Sequence, residues 1–260
     1  MAARAIWKGV LRFGKTKLPV KLYSAVQDHT IHFRLLHKTD NAPVKQQMVD
    51  PETGEPVDFK DARKAFPVMR NRMVLIEKEE LEKLEPKESR DIEIKRFVDP
   101  ADIDHRWYER AYYLGPDGDS AAYFALAAAL KKKNREAVAR WVMRKKDYVG
   151  ALHEHEGYLA LIVLRYAEEV VDASALPRPE GRPLQKKEIE MGEQLVAALA
   201  GKFDPSQFRD AYRDRVMDLI RTKERGGKVK VKTFRPKKTD DSALAGALAA
   251  SLTGLRRKSA

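Results

Sequence analysis

Arg4-Ala5-Ile6-Trp7-Lys8-Gly9-Val10-Leu11-Arg12-Phe13 opens the chain and is followed, after Gly14, by Thr16-Lys17-Leu18-Pro19-Val20-Lys21-Leu22-Tyr23-Ser24. Read at period two, Ala5, Trp7, Gly9, Leu11 and Phe13 fall on one face, while Arg4, Lys8 and Arg12 share the other with Ile6 and Val10. The second run repeats the scheme, with Leu18, Val20 and Leu22 inward and Lys17, Lys21 and Tyr23 outward. Pro19, which lacks an N–H, argues for an edge or strand-start position. The two runs predict half-buried strands whose outer side is cationic. Lysine and arginine are common on any exposed sheet, so the pattern alone fits a solvated surface as well as an anion-binding one.

Charge distribution separates these readings further. The 260-residue chain carries a net charge of +12. Residues 1–27 hold six basic side chains and no acidic one, residues 221–260 hold twelve basic and three acidic, and the long stretch between them sums to −3. Positive charge gathered at the two ends points to a polyanionic partner, nucleic acid first and an acidic membrane surface second. No run approaches the roughly 18 apolar residues of a spanning helix, and the start lacks the apolar core of a signal peptide. The expected location is therefore the cytoplasm, in association with the nucleoid and with no membrane partner. The sequence contains no cysteine, which excludes disulfides, thiolate nucleophiles and cysteine zinc sites.

Further strands are expected at Ile31 to Leu36, Met73 to Ile76, Ile92 to Val98, Trp107 to Leu114, Ala137 to Met143 and Tyr158 to Tyr166. Asp50-Pro51-Glu52-Thr53-Gly54 and Gly115-Pro116-Asp117-Gly118 are turn sequences. Helices are expected at Glu79 to Glu85 and at Ser120 to Lys133, the latter capped by Asp119 or Ser120. Many strands with few helices predict a mixed, β-rich fold built on a closed barrel over residues 1–175. Residues 176–185, with three prolines and a glycine in Leu176 to Pro183, form a linker. Residues 186–227 form two amphipathic helices, one ending at Gly201 and one running from Pro205 to about Arg225. Residues 228–260 form a lysine-rich tail expected to be disordered. The helical pair has too small a core to stand alone, so its apolar face must bury against the barrel or against another chain.

A basic nucleic-acid protein could also be a metal-dependent nuclease. The candidate ligands are His153-Glu154-His155-Glu156 and Asp102-x-Asp104-His105. His153 and His155 would share a strand face, yet a third ligand at recognisable spacing is missing, and Glu156-Gly157 reads as a turn. No phosphate loop, dinucleotide fingerprint or nucleophile elbow occurs, so neither a catalytic residue nor a cofactor is assigned. A general DNA-coating basic protein remains the other alternative.

The residues themselves resemble a family. Arg4-Ala5-Ile6-Trp7-Lys8-Gly9, Phe13-Gly14 and Leu18-Pro19-Val20-Lys21-Leu22-Tyr23-Ser24-Ala25 look like the opening of bacterial Ku. The likeness continues through Leu36-His37-Lys38-x-Asp40, Leu81-x-x-Leu84-x-Pro86, Ile92-x-Ile94-x-x-Phe97-Val98, Tyr112-Tyr113-Leu114-x-Pro116, Glu156-Gly157-Tyr158-Leu159 and Phe203-Asp204-Pro205-x-x-Phe208-x-Asp210-x-Tyr212. These ordered blocks span residues 4 to about 227. The resemblance implies a Ku-type β-barrel with a DNA-encircling bridge over about residues 28–75, and a helical arm that embraces a second copy. The implied activity is binding of double-stranded DNA ends by a ring-shaped homodimer without reading sequence. End protection, bridging and recruitment of ligase D for non-homologous end joining follow from it, with no enzymatic activity in this chain.

Contact with a threaded duplex needs phosphate-binding cations and no base code. Charge clustering together with the bridge selects Arg4, Lys8, Arg12, Lys38, Lys45, Arg70, Arg72, Arg144, Lys145 and Lys146, joined by Lys228, Lys230, Lys232, Lys237 and Lys238 of the tail. Phe208, Tyr212, Val216 and Leu219 are the expected dimer face. Lys131-Lys132-Lys133, at a helix C-terminus, is expected to be structural. Some members of the family carry a Cys-x-x-Cys pair in the loop that here reads Val49 to Gly54, and this chain has none.

Overall fold

The computed structural model describes residues 4–70, 72–118, 120–177, 183–227 and 251. The two opening runs become β1 (Trp7–Phe13) and β2 (Thr16–Ser24), antiparallel in the register Trp7↔Leu22 to Phe13↔Thr16. Beyond them lie β3 (Lys64–Met69), β4 (Arg72–Ile76) and α1 (Lys78–Leu84). Next come β5 (Asp91–Val98), β6 (Tyr108–Pro116), α2 (Ser120–Lys133), β7 (Glu136–Met143), β8 (Lys146–His155) and β9 (Tyr158–Leu164). Seven strands close into a barrel in the order β1-β2-β6-β9-β8-β7-β5, and β3 with β4 forms a separate two-stranded hairpin. The barrel closes through a parallel seam in which Val10, Leu11 and Arg12 of β1 lie opposite Asp91, Ile92 and Glu93 of β5.

The period-two reading of the opening holds at its core positions, while Trp7, Phe13, Arg12, Lys21 and Tyr23 are half-buried. Leu11, Leu18, Val20 and Leu22 are buried with Ile92, Leu114, Leu152, Leu159 and Leu161 in one core, while Lys8, Lys17 and Pro19 are exposed. Pro19 sits within β2 rather than at its start. Its carbonyl accepts from Asp117 N at 3.0 Å, and N and C=O of one strand residue point the same way, so its missing N–H faces β6. The β2–β6 register begins only at Val20↔Pro116, which makes Pro19 a local edge inside a closed barrel.

Two strand expectations change. Ile31 to Leu36 alternates correctly but meets no partner strand among the described residues, apart from an isolated bridge between Leu36 and Pro43. The segment Lys146–His155, which the sequence reading does not select, is β8, paired with β7 on one side and β9 on the other.

Helix α2 presents Tyr123, Leu126, Ala127 and Leu130 to the core, and the expected cap Asp119 lies outside the described residues. The Tyr123 hydroxyl donates to the carbonyl of Leu114 and accepts from Leu159 N at 2.7 Å. Leu114 and Leu159 form the last opposed pair of β6 and β9, so one side chain ties the helix to both strands where they part. Tyr123→Phe keeps the ring and strands the Leu159 donor in the core. The variant is expected to lose about 1–3 kcal/mol of stability, read as a lower urea midpoint at unchanged slope.

The chain divides into two compact units, Met1–Ala175 and Leu176–Ala260. In the second, α3 (Lys186–Leu199) starts at a capping box in which Gln185 N donates to Glu188 Oε2 at 2.8 Å. The second helix, α4 (Ala211–Glu224), begins later than the sequence suggests. Asp204 closes a 3₁₀ turn at Pro205–Gln207, and Asp210 then caps α4 by accepting from Tyr212 N and Arg213 N, each at 3.0 Å.

Candidate nucleic-acid interface

Between β2 and β5 the chain leaves the barrel for a long excursion whose side chains are almost all exposed. Its first half is built from two local turns. In one, Leu36 bridges Pro43, His37 N donates to Ala42 O at 2.8 Å, and Asp40 accepts from Ala42 N at 3.0 Å and lies 2.9 Å from His37 Nδ1. The Ala42 amide and then the imidazole hold the Asp40 carboxyl below the usual carboxylate range. In the other, Val49 bridges Pro56, and Asp50 Oδ1 accepts from Glu52 N at 2.8 Å and Thr53 N at 3.2 Å. Backbone and Asx hydrogen bonds close this second turn. Lys38 and Lys45 stand exposed on these turns.

The second half is the β3–β4 hairpin, in register Lys64↔Ile76 through Met69↔Arg72. From Ala62 to Ile76 it carries Arg63, Lys64, Arg70 and Arg72 and no carboxylate. Arg70 sits in the turn and Arg72 begins the return strand, so two cations mark the tip. Phe66, Met69, Met73 and Leu75 of the same hairpin are exposed by more than half.

On the barrel, the candidate cations divide in two. Lys8 and Lys21 are cross-strand neighbours on β1 and β2, and both reach Asp117, at 3.0 and 2.7 Å. The bonds from Lys21 and then Lys8 draw the Asp117 carboxyl below its ordinary range, and Asp117 raises Lys21 in turn. Arg12 binds Asp91 at 2.6 Å, and Lys145 lies 2.8 Å from Glu85. Among the described residues, Arg4, Lys38, Lys45, Arg70, Arg72, Arg144 and Lys146 have no carboxylate partner. Lys228, Lys230, Lys232, Lys237 and Lys238 lie outside the described residues. Sequence reasoning passed over Arg63 and Lys64, which the acid-free run would have revealed, and Lys21, which the Lys8 register brings beside the same carboxylate.

The nuclease candidates resolve into structural roles. Asp102 accepts from Asp99 N at 3.3 Å, and Asp104 accepts from Arg106 N at 3.0 Å, so both close 3₁₀ turns. Glu154 accepts from Gly157 N at 2.6 Å across the β8–β9 turn, and Lys131 lies 3.2 Å from it, which gives the first of the three helix-end lysines its structural partner. His153 is half-buried, and desolvation pushes its imidazole pKa down. Among the described residues no group of three or more His, Asp or Glu side chains could hold a metal ion.

In the second unit, Tyr212, Val216 and Leu219 fall on one face of α4 at spacings of four and three, with Phe208 four residues before. Phe208 and Tyr212 are exposed and Val216 and Leu219 half-buried; the Phe208 ring stacks on Phe203 with centroids 5.8 Å apart.

The site is thus a closed barrel carrying an exposed, acid-free cationic hairpin, with Asp102, Asp104 and Glu154 engaged in turns. Comparison with known proteins gives the family. The model of the Ku70/Ku80 beta-barrel domain matches residues 12–191. The Non-homologous end joining protein Ku of Anaeromyxobacter sp. (strain K) is 36% identical over 98% of this chain and 87% of its own length. Its namesake from Mycobacterium tuberculosis (strain ATCC 25618 / H37Rv) is 31% identical over 92% and 89%. That of Archaeoglobus fulgidus is 32% identical over 88% and 91%. The chain belongs to the Ku family, whose members are non-enzymatic DNA end-binding proteins of non-homologous end joining. Among the described residues no helix is long and apolar enough to cross a membrane.

Proposed function

We propose that the protein binds double-stranded DNA ends as a ring-shaped homodimer, without reading sequence, and works in the repair of double-strand breaks at the nucleoid. It protects and bridges the ends and recruits ligase D, which supplies the ATP-dependent joining chemistry. The observation that carries this reading is the β3–β4 hairpin, whose Arg63, Lys64, Arg70 and Arg72 meet no acid within the run. Cations on an exposed ribbon contact phosphates irrespective of sequence, as an end binder must. Exposed apolar side chains on the same hairpin and on the α4 face support a second copy as the partner that covers them. Truncation after Gly227 is expected to weaken DNA affinity and bridging, because residues 228–260 hold nine basic side chains against two acidic.

Competition tests the ring. A labelled linear duplex is challenged with equal masses of linear fragment or covalently closed circle. Displacement by the linear competitor alone is the expected result, and equal displacement by the circle would replace the ring with a side-binding basic protein. With about six to ten phosphate contacts, affinity should fall roughly 10³- to 10⁵-fold between 50 and 200 mM salt.

A further inference from the structure

We propose that the cleft between the start of β1, the entry to β5 and the β7–β8 turn is a separate site for one unpaired nucleotide, held by its phosphodiester and its base. The cleft encloses about 500 Å³ and is lined by Trp7, Lys8, Arg90, Arg144 and Lys145, with Glu88 and Ser89 at its margin. That volume suits a nucleotide-sized ligand and not a duplex.

The backbone pays an unusual cost to build this lining. Arg144 and Lys145 alone connect β7 to β8, and both sit in the left-handed region, at φ 51° and 63°. A two-residue turn of this kind favours Asn-Gly, since only residues without a hindered Cβ adopt it freely. The β8–β9 turn follows the rule in part, with Gly157 at φ 88° after Glu156. A strained turn made of two cations beside a cleft is the pattern of a ligand clamp. Independently, Gly9 makes room for the indole. A Cβ there would fall 2.5 Å from Trp7 Cη2 and 2.9 Å from the carbonyl of Arg90, so the bare backbone lets the ring lie across it, half-buried against the core, with its remaining surface lining the cleft.

An aromatic face beside arginines is the chemistry of single-strand binding: the base stacks and the cations take the phosphate. The local acids refine the ligand. Lys8 already pairs with Asp117 and Lys145 with Glu85, so at these two a phosphate must displace a half-buried carboxylate. Arg90 and Arg144 have no carboxylate partner among the described residues. Glu88 repels a second negative charge, which favours the monoanionic phosphodiester inside a strand over a free mononucleotide or inorganic phosphate.

The inference rests on the DNA-end reading only for the source of the unpaired strand, and the experiment separates the two. Full-length protein is titrated by anisotropy with a blunt duplex, the same duplex bearing a short oligothymidylate tail, and the oligothymidylate alone; dTMP and inorganic phosphate serve as competitors. The tail is expected to tighten binding about tenfold, the size of one good base stack. Arg90→Ala should remove that gain with blunt-duplex affinity unchanged, and Arg90→Lys should restore part of it. Equal affinities for blunt and tailed duplexes, or a tail gain that survives Arg90→Ala, overturn the site while leaving end binding intact. Failure of both duplexes overturns the end-binding reading, and oligothymidylate binding that is lost on Arg90→Ala then still supports the cleft. Equal competition by dTMP or phosphate refutes the strand-specific assignment.

Discussion

A chain carrying Arg70→Ala and Arg72→Ala binds a linear duplex with a log affinity to log salt slope shallower by about two for each chain that engages the DNA. At about 100 mM salt the loss is expected to be roughly ten- to a hundredfold, uniform across sequences, because phosphate contacts carry no base information. The two arginines are singled out by what surrounds them. They mark the tip of a hairpin with no acid between Ala62 and Ile76, so their full charge is available to a polyanion. Lys8, Arg12 and Lys145 instead hold Asp117, Asp91 and Glu85, and a phosphate must displace a carboxylate to reach them. Alanine at Lys8 or Lys145 is therefore expected to cost less than alanine at the hairpin. Measuring the salt slopes of the three variants side by side checks the ranking. An unchanged slope for the hairpin variant removes it from the interface.

The same contrast shows where sequence reading stops. Alternation made β1 and β2 legible because each has one face in a single core and one outside. Ile31 to Leu36 has the same alternation and is no strand, since pairing needs a neighbour that local pattern does not supply. Strand β8 escaped for the opposite reason. Gly150 interrupts its apolar run at the place where a Cβ would lie 2.8 Å from the Trp141 ring and 2.7 Å from the carbonyl of Ile162, a demand of tertiary packing. The parallel seam between β1 and β5 joins segments about 80 residues apart, and nothing local announces it. The cationic site was legible as charge but not as free charge. The partners of Lys8, Arg12 and Lys145 lie from 60 to more than a hundred residues away, so which cations remain uncompensated is a property of the fold.

Phe208→Asp combined with Leu219→Asp is expected to convert the protein to a monomer with poor end binding. Tyr212, Val216 and Leu219 lie along one side of α4, with Phe208 just before the helix, and a helix pair this short derives its stability from burying such a face. If a second chain covers it, each variant places an unpaired carboxylate in an apolar contact, a cost of several kcal/mol per site that a marginal interface cannot absorb. Sedimentation or light scattering over a concentration series should then show the dimer lost at all accessible concentrations. The DNA consequence follows from multivalency. Two hairpins on one assembly bind at an effective concentration set by their linkage, and separating them forfeits about 10²- to 10⁴-fold in affinity with every arginine still present. A variant that stays dimeric and fully active removes α4 from the dimer contact. A variant that becomes monomeric yet binds linear DNA as tightly as the parent separates dimerisation from end binding, and the ring then has no role in affinity.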